Sequence, residues 1–445
     1  MLDIKLIREN PNKVKEGLKK KGVDFDLDYL LKFDEKRRKK IQEVDDMRAQ
    51  QNALSEEIVN ARKPDRDKNI AESKELKIKL GDVEFELKAL EEEFKELAHK
   101  LPNLPLDNVP VGGGEKDNVV LREVGKKPQF SFEPKDHLEL GTALDIIDFE
   151  TGAKVSGADF YYLKNAGAML ELALVQYALD FLSKKGFIPC ITPDLARSKF
   201  YLGTGYLPRG PEAQTYTIED SDLGLIATAE VTLAGMHADE IIGVDKLPIY
   251  YAGYSHCFRR ESGSYGKYSK GLYRVHQFTK VEMFVYCRPE DSPKIHEELL
   301  GHEEKLWQGL GIPYRVVEMC AGDLGAQAAR KFDLEAWMPG RHTFHGEPLA
   351  SLDTSRSGRP EGAGRGDWGE VTSTSNTTDY QSRRLGIRYR DADGKINFVH
   401  TLNGTAVATS RAIIAILENY QQEDGSVKVP EVLQKYMGGL KEIKR

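Results

Sequence analysis

Arginine, carboxylate and aromatic side chains alternate along two neighbouring segments in the middle of the sequence. The first is Phe-Arg-Arg-Glu at 258–261, and the second spans residues 273–282. If both are strands, side chains two positions apart share a face, so Arg259 lies beside Glu261 and Lys280 lies between Phe278 and Glu282. Guanidinium groups bind phosphates, aromatic rings stack on bases, and carboxylates accept hydrogen bonds from amines. The pattern suits a nucleotide cradle, but taken by itself it fits cross-strand salt bridges on a solvated sheet at least as well.

The sequence lacks the usual loops for phosphate binding and the usual spacings for metal binding. It contains neither a P-loop motif nor a Gly-x-Gly-x-x-Gly turn after a strand. The four cysteines are far apart, which argues against a disulfide framework and against a cysteine zinc site. His256 and Cys257 are adjacent, so on a strand they would point to opposite faces. A nucleotide would therefore be held by side chains on a sheet, and no zinc is expected.

The elements that must position these side chains suggest an α+β fold. Helices are predicted over residues 167–185 and 406–420, where apolar residues recur with helical spacing. Strands are predicted over residues 225–231, 249–259, 277–287, 314–319, 332–337, 385–390 and 395–400. The last two flank an Asp-Gly turn typical of a hairpin. Most connections are too short for helical crossovers, so a largely antiparallel sheet is expected.

The first hundred residues have the pattern of a coiled coil. Apolar steps of four and three residues run through Leu76, Leu80, Val83, Leu87, Leu90, Phe94, Leu97 and Leu101. The same alternation covers Leu30, Phe33, Val44, Met47, Gln51, Leu54, Ile58 and Ala61. Pro64 separates the two runs. We expect these two helices to fold back on each other as an antiparallel arm. The arm is either a spacer or dimerisation rod, or an element that binds a distant partner through its basic clusters at 19–21 and 36–40.

Composition sets the domain boundaries and excludes some classes of protein. The chain has 445 residues and a formal net charge of −7, which excludes a uniformly basic nucleic-acid-coating protein. A Pro/Gly-rich linker at about 102–115 predicts an arm at 1–105 and a second domain at 106–445.

No uninterrupted run of about 18 apolar residues occurs, so no membrane span is expected. The first residues lack the features of a leader, and a cytoplasmic location is expected.

Three segments in this order resemble the signature motifs of class II aminoacyl-tRNA synthetases. They are residues 186–193, 258–261 and 404–411. Residues 228–230, 370–373 and 400–405, together with the two-helix arm, narrow the resemblance to the seryl-tRNA synthetase family. The resemblance covers essentially the whole chain. It implies a class II fold, with an antiparallel sheet of six to seven strands, flanking helices and an active site on the face of the sheet.

The resemblance also implies roles for individual positions. Arg259 and Arg411 would be the catalytic residues, holding the α- and γ-phosphates of ATP, while Glu261 accepts from the adenine amino group and Phe278 stacks on the ring. The implied ATP-binding set is Arg259, Arg260, Glu261, Val275, Phe278, Glu370, Val371, Thr372, Ser373 and Arg411. The implied serine-binding set is Thr228, Ala229, Glu230, Arg259, Glu282, Asn403 and Thr405. Glu370 and Ser373 would ligate Mg²⁺.

The implied activity is formation of seryl-adenylate from ATP and L-serine, followed by transfer of serine to tRNA(Ser), and also to tRNA(Sec). The arm would grip the tRNA, and the first motif with its long helix would form a homodimer. Two other functions remain open at this point. A ligase that charges a carrier protein would share the catalytic face but lack the arm, and a non-enzymatic scaffold would keep only the fold.

One segment departs from the family pattern. Residues 340–369 form a Gly/Arg/Ser-rich insertion that is longer than the roughly 12–15 residues usual for unstructured loops. The simpler interpretation is a flexible surface excursion. The alternative is a flap over the ATP site or an extra RNA contact made by Arg341, Arg356, Arg359 and Arg365. A displaced following strand would put the Mg²⁺ roles of Glu370 and Ser373 in question.

Overall fold

The chain forms two compact units in a computed structural model. They are Met1–Leu104 and Pro105–Arg445. The structure describes residues 1–206, 215–261, 271–343 and 364–445. Within this part of the chain, each unit has its own apolar core.

The first unit is helical. Its helices are α1 (Ile4–Glu9), α2 (Pro11–Lys20), α3 (Leu27–Asn60) and α4 (Lys63–His99). Asp26 caps α3 by accepting from the backbone N–H of Tyr29 at 2.8 Å. Pro64 lies in the first turn of α4, where its missing N–H costs no helical hydrogen bond. The proline therefore starts the second long helix instead of lying within a longer connection.

The predicted heptad seam is confirmed along both long helices. Every predicted seam residue is buried or half-buried, while most positions between them are exposed. Arg48 on α3 pairs with Glu84 on α4 at 2.7 Å, which fixes an antiparallel register. At the open end of the hairpin, α1 and α2 add Ile7, Val14 and Leu18 to the core. These two short helices were not predicted, because each is too short to show a clear period.

A buried carboxylate ties α1 to α3. The Asp34 side chain is 1% exposed and accepts from Arg8 Nε at 2.6 Å and from Arg37 at 3.2 Å. Burial by itself would raise the pKa of Asp34, but the hydrogen bonds from Arg8 and Arg37 outweigh it and lower that pKa. Lys15 and Asp28 form a contrasting ion pair at 2.8 Å, with side chains 47% and 66% exposed.

The second unit is an α+β domain. Its helices are α5 (His137–Ala143), α6 (Phe149–Ser156), α7 (Asn165–Ser183), α8 (Ser198–Thr204), α9 (Glu230–Gly235), α10 (Ser292–Leu310), α11 (Tyr380–Leu385), α12 (Thr409–Tyr420) and α13 (Glu431–Gln434). Its strands are β1 (Val119–Val124), β2 (Ile147–Asp148), β3 (Tyr162–Leu163), β4 (Ile188–Ile191), β5 (Leu195–Arg197), β6 (Tyr216–Thr217), β7 (Leu223–Leu225), β8 (Ile241–Gly243), β9 (Ile249–Phe258), β10 (Gln277–Cys287), β11 (Tyr314–Glu318), β12 (Arg330–Thr343), β13 (Gly364–Asn376), β14 (Arg388–Arg390), β15 (Ile396–Phe398), β16 (His400–Ala408), β17 (Val427–Lys428) and β18 (Glu442–Ile443).

The main sheet has eight strands in the order β1-β11-β12-β13-β16-β10-β9-β4. All neighbours pair antiparallel except β4, which pairs parallel to β9 at one edge. The largely antiparallel prediction is confirmed, with more strands than the six to seven that the resemblance implied. This order brings β10 and β16 to the centre of the sheet, next to β9 on one side and β13 on the other.

One face of the sheet is covered by α7, α10 and α12, which bury the largest apolar core. Val281, Met283 and Val285 of β10 point into that core. The intervening residues of the same strand, such as Lys280 and Glu282, are also buried, but on the other face. A strand buried on both faces does not alternate in hydrophobicity, so polar residues on the second face are a sign of a binding surface.

The helices and strands predicted from the sequence agree only in part with those of the structure. The strand over 277–287 is confirmed, and the helices over 167–185 and 406–420 are found with shifted ends. The strand predicted over 225–231 is wrong, because β7 ends at Leu225 and α9 begins at Glu230. The sequence analysis did not identify β13, β16 or α10. The polar, Ser/Thr-rich sequence of β13 lacks the apolar alternation of a half-buried strand.

The predicted insertion coincides with a hairpin between β12 and β13. Trp337 pairs with Trp368, and His342 pairs with Arg365, so both strands continue into the predicted insertion. Residues 344–363, with Arg356 and Arg359, lie outside the described residues, as does the side chain of Arg365. β13 pairs with β12 at both Ser373 and Glu370, opposite Asp333 and Glu335, with register shifts after Leu334 and after Met338. The Mg²⁺ roles of Glu370 and Ser373 stay predictions. The flap hypothesis stays a prediction.

Helix α7 is long and apolar enough to cross a membrane by length and composition alone. Of its most apolar window, 39% is buried within the protein. Leu170 and Leu174 point into the core, whereas Met169 and Leu172 are 46% and 59% exposed. A core helix of a soluble protein with one exposed apolar face has the same length and composition. The apolar character of α7 is therefore weak evidence for a membrane span.

Replacing Asp34 by Asn is expected to lower the free energy of unfolding of the first unit by about 3 kcal/mol, because buried guanidinium groups lose their counter-charge. The matched change Asp28→Asn breaks an exposed pair and should cost less than about 1 kcal/mol. Amide hydrogen exchange of α1–α3 in the full chain measures both. The lowered pKa of Asp34 means that the difference from wild type is complete above about pH 4 and shrinks below it. Equal effects of the two substitutions would contradict this account.

Candidate active site

A cavity of about 240 Å³ opens on the face of the sheet opposite α7 and α10. It is bounded by the end of β9, the centre of β10, β13, β16 and the first turn of α12. Its lining residues are Tyr206, Glu230, Arg259, Glu261, Tyr273, Val275, Phe278, Lys280, Glu282, Gly325, Gln327, Lys331, Glu370, Val371, Thr372, Ser373, Ser375, Asn403, Thr405, Ala408, Ser410 and Arg411. Most residues to which the sequence analysis gave a role are therefore brought together in one place.

Arg259 lies directly after β9, on one side of this cavity. Its backbone N–H donates to the carbonyl of His276 at 3.0 Å, which continues the pairing of β9 with β10 beyond the strand end. Its own carbonyl lies 2.9 Å from His276 Nδ1. The guanidinium carbon lies 5.1 Å from the centroid of the Phe278 ring. The backbone thus holds Arg259 beside the aromatic ring.

Glu261 reaches the same cavity by a different route from the one predicted. The strand ends at Phe258, and Glu261 has φ = +48°, a left-handed conformation that few non-glycine residues adopt. Alternation along a strand is therefore the wrong reason for its proximity to Arg259. Arg274 Nε donates to Glu261 Oε2 at 2.5 Å, which orients the carboxylate.

Arg411 lies on the other side, in the first turn of α12. Its Nη1 donates to the carbonyl oxygen of Glu370 at 3.0 Å and lies 3.1 Å from Glu370 Oε1. The ring of Tyr273 stacks against two guanidinium groups, with centroid distances of 4.9 Å to Arg411 and 5.1 Å to Arg341. Tyr273 thus joins two cations that would otherwise repel each other.

A buried histidine and glutamate position the segment that carries Tyr273. His137 Nδ1 lies 2.9 Å from Glu418 Oε1, and the backbone N–H of Leu272 points at His137 Nε2 at 3.3 Å. The other oxygen of Glu418 accepts from the backbone N–H of Gly340 at 2.9 Å. Tyr273, whose ring stacks on Arg411, is therefore held in place through the backbone of Leu272, the residue before it.

The positive side chains keep Glu370 ionised. Desolvation in the cavity would raise the pKa of Glu370, but the charges of Arg411, Lys331 and Arg259 outweigh it and lower that pKa to about 2. Asp333 shows the opposite balance, because burial raises its pKa to about 7 despite Lys331. Of these two neighbouring carboxylates, Glu370 is therefore fully charged at neutral pH.

Glu230 forms the opposite end of the cavity. It is 2% exposed, and its carboxylate accepts from Asn403 Nδ2 at 2.9 Å, from Gln381 Nε2 at 2.7 Å and from the Tyr206 hydroxyl at 3.2 Å. Burial and the nearby negative charge of Glu282 raise the pKa of Glu230 to about 7. Such a carboxylate suits a ligand that brings its own positive charge.

Glu282 and Lys280 lie side by side on β10 as an ion pair. Thr405 of β16 lies opposite Glu282 in the sheet register, next to a β-bulge between Val281 and Glu282. The extra residue of the bulge is Ala406 on β16, and both Glu282 and Thr405 line the cavity. Together with Asn403 they make a small polar compartment separate from the arginine end.

Three residues of the predicted sets are not among the lining residues. Thr228 and Ala229 are buried in the turn before α9, where Thr228 Oγ1 accepts from the backbone N–H of Glu230 at 3.2 Å. Arg260 is exposed and is not one of the lining residues. Val275, Val371, Thr372 and Ser373 do line it. Their roles stay predictions.

Comparison with known proteins agrees with the sequence motifs. The family model "Seryl-tRNA synthetase N-terminal domain" matches residues 1–105, and "tRNA synthetase class II core domain (G, H, P, S and T)" matches residues 216–420. A serine–tRNA ligase from Dictyoglomus turgidum is 51% identical over 98% of both chains. A seryl-tRNA synthetase from Pyrococcus horikoshii complexed with ATP superposes with a TM-score of 0.86 at 44% identity, covering 100% of this chain and 99% of that one. A serine–tRNA ligase from Naegleria fowleri in complex with AMP gives 0.82 at 35% identity, with the same coverage.

The chain belongs to the seryl-tRNA synthetase family. The family and the class II fold that the motifs predicted are thereby confirmed. Among seryl-tRNA synthetases, the third motif corresponds here to the passage from β16 into α12, which places Arg411 in the first helical turn.

Several lining residues of this seryl-tRNA synthetase were missed by sequence reasoning. They are Tyr206, Tyr273, Gly325, Gln327, Lys331, Ser375, Ala408 and Ser410. Tyr273 carried a usable signal, since it is an aromatic residue at the start of the segment that returns to β10. Ala408 and Ser410 lie within the third motif, and Ser375 lies just after the segment at 370–373. Tyr206, Gly325, Gln327 and Lys331 come from segments distant in sequence, and only the fold brings them to the cavity.

The carboxylate chemistry of the cavity fits a hard divalent cation better than zinc. Glu370 is charged, and Ser373 adds a hydroxyl oxygen on the same strand, so the protein offers two oxygen ligands. Mg²⁺ is commonly bound by one or two protein oxygens plus phosphates and water. Across the residues that the structure describes, no group of three or more His, Cys, Asp and Glu side chains is placed to hold a metal ion. The expectation of no zinc stays a prediction.

Proposed function

We propose that this chain is a serine–tRNA ligase that forms seryl-adenylate from ATP and L-serine, releases pyrophosphate, and then transfers serine to the 3′ end of tRNA(Ser), releasing AMP. The observation that carries the proposal is the division of one cavity into two ends. Arg259 and Arg411 both lie near Glu370 and supply positive charge there, while the carboxylates Glu230 and Glu282 lie near each other in another part of the lining. A triphosphate and an amino acid have the complementary charges.

In this proposal, ATP occupies the arginine end. Phe278 stacks on the adenine, Val275 supplies a backbone contact, and Glu261, oriented by Arg274, accepts from the adenine amino group. Arg259 holds the α-phosphate, and Arg411, braced by Glu370 and Tyr273, holds the γ-phosphate. Val371, Thr372 and Arg260 complete the predicted set.

Serine occupies the polar compartment. Its ammonium and hydroxyl groups suit Glu230 and Glu282, with Asn403 and Thr405 nearby and the turn at Thr228 and Ala229 behind them. Its carboxylate is then directed at the α-phosphate, beside Arg259. Alanine would leave these buried polar groups unpaired, which is a strong basis for its rejection.

The reaction requires positioning and charge neutralisation rather than an acid–base triad. The serine carboxylate oxygen attacks the α-phosphorus and pyrophosphate leaves. Arg259 stabilises negative charge at the attacked phosphate, and Arg411 stabilises it on the leaving group. Glu370 and Ser373 would hold Mg²⁺, which would supply positive charge to offset that of the phosphates.

The first unit is proposed to bind the tRNA. Its match to the family's N-terminal domain and its long α3–α4 hairpin support this role. The basic cluster at 36–40 supports it less than the sequence suggested, because Arg37 and Arg38 pair with Asp34, and Lys40 pairs with Glu43 and Glu86. Use of tRNA(Sec) and a cytoplasmic location are further predictions.

A homodimer is proposed through the first motif and α7. Apolar side chains are exposed along α7 and the adjacent edge strand β4, including Leu172 at 59% and Ile191 at 83%. An uncovered strand edge beside apolar residues favours association with a second copy.

A carrier-protein ligase is the main alternative, and the arm of the first unit argues against it. Serine-dependent pyrophosphate exchange is expected of both enzymes, so serylation of tRNA, measured on the same preparation, separates the two. A scaffold would do neither.

Replacing Tyr273 by Leu is expected to raise the KM for ATP about tenfold, because the ring no longer stacks on Arg411 and Arg341. Tyr273→Phe retains the ring and should stay within about threefold of wild type. Pyrophosphate exchange at saturating serine gives both values. If the Phe variant were as defective as the Leu variant, the hydroxyl rather than the ring would be responsible.

Replacing Arg259 by Ala is expected to lower adenylate formation by at least about a hundredfold, since the charge opposite the α-phosphate is lost. Binding of tRNA should be unchanged, because the first unit is proposed to provide it. Pyrophosphate exchange and a filter-binding assay report the two steps. Arg288→Ala, which removes a half-exposed arginine outside the cavity lining and outside the proposed binding sets, is the matched control. Loss of tRNA binding in R259A would contradict this division of labour.

Deleting residues 36–90 and joining the ends with a short turn is expected to leave pyrophosphate exchange intact and to abolish serylation of tRNA. The catalytic cavity belongs entirely to the second unit, so exchange also serves as a control for folding. Efficient serylation by the shortened enzyme would refute the proposed role of the arm.

A further inference from the structure

Glu230 is held by a glutamine that lies outside every segment singled out in the sequence. Gln381 is on α11, is fully buried, and donates from Nε2 to Glu230 Oε1 at 2.7 Å. It is not a lining residue of the cavity. Its amide therefore acts on a ligand only through the carboxylate that it contacts.

The orientation of this amide is fixed by its other partners. Nε2 also points at the backbone carbonyl of Thr204 at 3.2 Å, and Oε1 accepts from the Thr401 hydroxyl at 2.8 Å. A flipped amide would place its oxygen against a carboxylate and a carbonyl, both of which only accept hydrogen bonds. Gln381 must therefore present its NH₂ group to Glu230.

The two oxygens of Glu230 are consequently not equivalent. Oε1 accepts from two amides, those of Gln381 and Asn403. Oε2 accepts from the Tyr206 hydroxyl at a longer 3.2 Å. Within the described part of the chain, Oε2 is thus the oxygen left with capacity to accept from a ligand.

The charge state of Glu230 depends on a balance in which Gln381 takes part. Burial, together with the charge of Glu282, favours the neutral carboxyl, while the hydrogen bonds from Gln381 and Tyr206 and the charge of Lys280 favour the carboxylate. The Tyr206 hydroxyl also lies within reach of the positive charge of Arg259, which lowers its pKa, and of the negative charge of Glu282, which raises it. The pKa of Glu230 is about 7 and therefore close to neutral pH. Loss of the hydrogen bond from Gln381 would raise this pKa and increase the fraction of Glu230 that is protonated at neutral pH.

We propose that Gln381 is a positioning residue for serine recognition: it keeps Glu230 ionised and turns Oε2 toward the bound amino acid. The inference rests on the proposed function, because Glu230 is taken there to bind serine. A neutral Glu230 would bind an ammonium group poorly and would compete with serine as a donor. Gln381 thereby helps to set the lower pH limit of serine use without touching the substrate.

The test uses the full-length enzyme with Gln381→Met, which keeps the length and volume of the side chain but removes its donor. Hydrogen bonds to charged groups contribute enough that the KM for serine should rise at least about tenfold. The acid limb of kcat/KM for serine should move to higher pH by about one unit, since Glu230 protonates more readily. The KM for ATP should change less than about twofold.

Gln421→Met is the matched control, because Gln421 is another buried glutamine, hydrogen-bonded to Lys135 and remote from Glu230. It should lower stability without moving the acid limb. Gln381→Glu is the second variant, in case the Met variant does not fold. The introduced glutamate is isosteric with glutamine and still accepts a hydrogen bond from Thr401. Its carboxyl group must share a proton with Glu230, so the acid limb of kcat/KM for serine should again move to higher pH.

A folded Q381M or Q381E with an unchanged acid limb and unchanged KM for serine would overturn the proposal. Equal increases in the KM values for serine and ATP would also overturn it, because they would show a general structural role. If the wild-type enzyme showed no serine-dependent pyrophosphate exchange, the proposed function itself would fail, whatever the variants do.

Discussion

A carboxylate and a guanidinium share the cavity of this protein, and the guanidinium lowers the pKa of the carboxyl group while the carboxylate holds the guanidinium in place. Glu370 keeps its charge through Arg411, Lys331 and Arg259, and Arg411 is held in place by Glu370 and by the ring of Tyr273. Charges withdrawn from water must be paired or hydrogen-bonded. The rest of the domain can be understood as the scaffold that keeps these charges at fixed distances before any substrate arrives.

The sheet provides that rigidity through its register. β10 and β16 are central, so their side chains are fixed on both sides by hydrogen-bonded neighbours and from below by α7, α10 and α12. A single bulge on β16, where Ala406 is the extra residue, changes the register of that strand so that Thr405 comes to lie opposite Glu282 of β10. One rigid surface thus carries two ends of opposite charge, which suits a reaction that depends on alignment rather than on proton transfer.

The buried polar residues behind the cavity are as important as those that line it. Gln381 and Asn403 saturate one oxygen of Glu230, and His137 with Glu418 anchors the segment that carries Tyr273. None of these contacts follows from a motif. Each is a hydrogen bond between elements far apart in sequence, made where an unpaired polar group would be costly.

The sequence by itself determined the family, the two-helix arm and the identity of the charged residues. Heptad spacing and short motifs involve residues that are close together in the chain, so they can be recognised without knowing the tertiary structure. It misjudged Glu261, which it placed on a strand, and Glu230, which begins a helix. It also missed β13, Tyr273 and Gln381. Only the tertiary structure decided which side chains share the cavity, because proximity there depends on strand order and register, which no local pattern encodes.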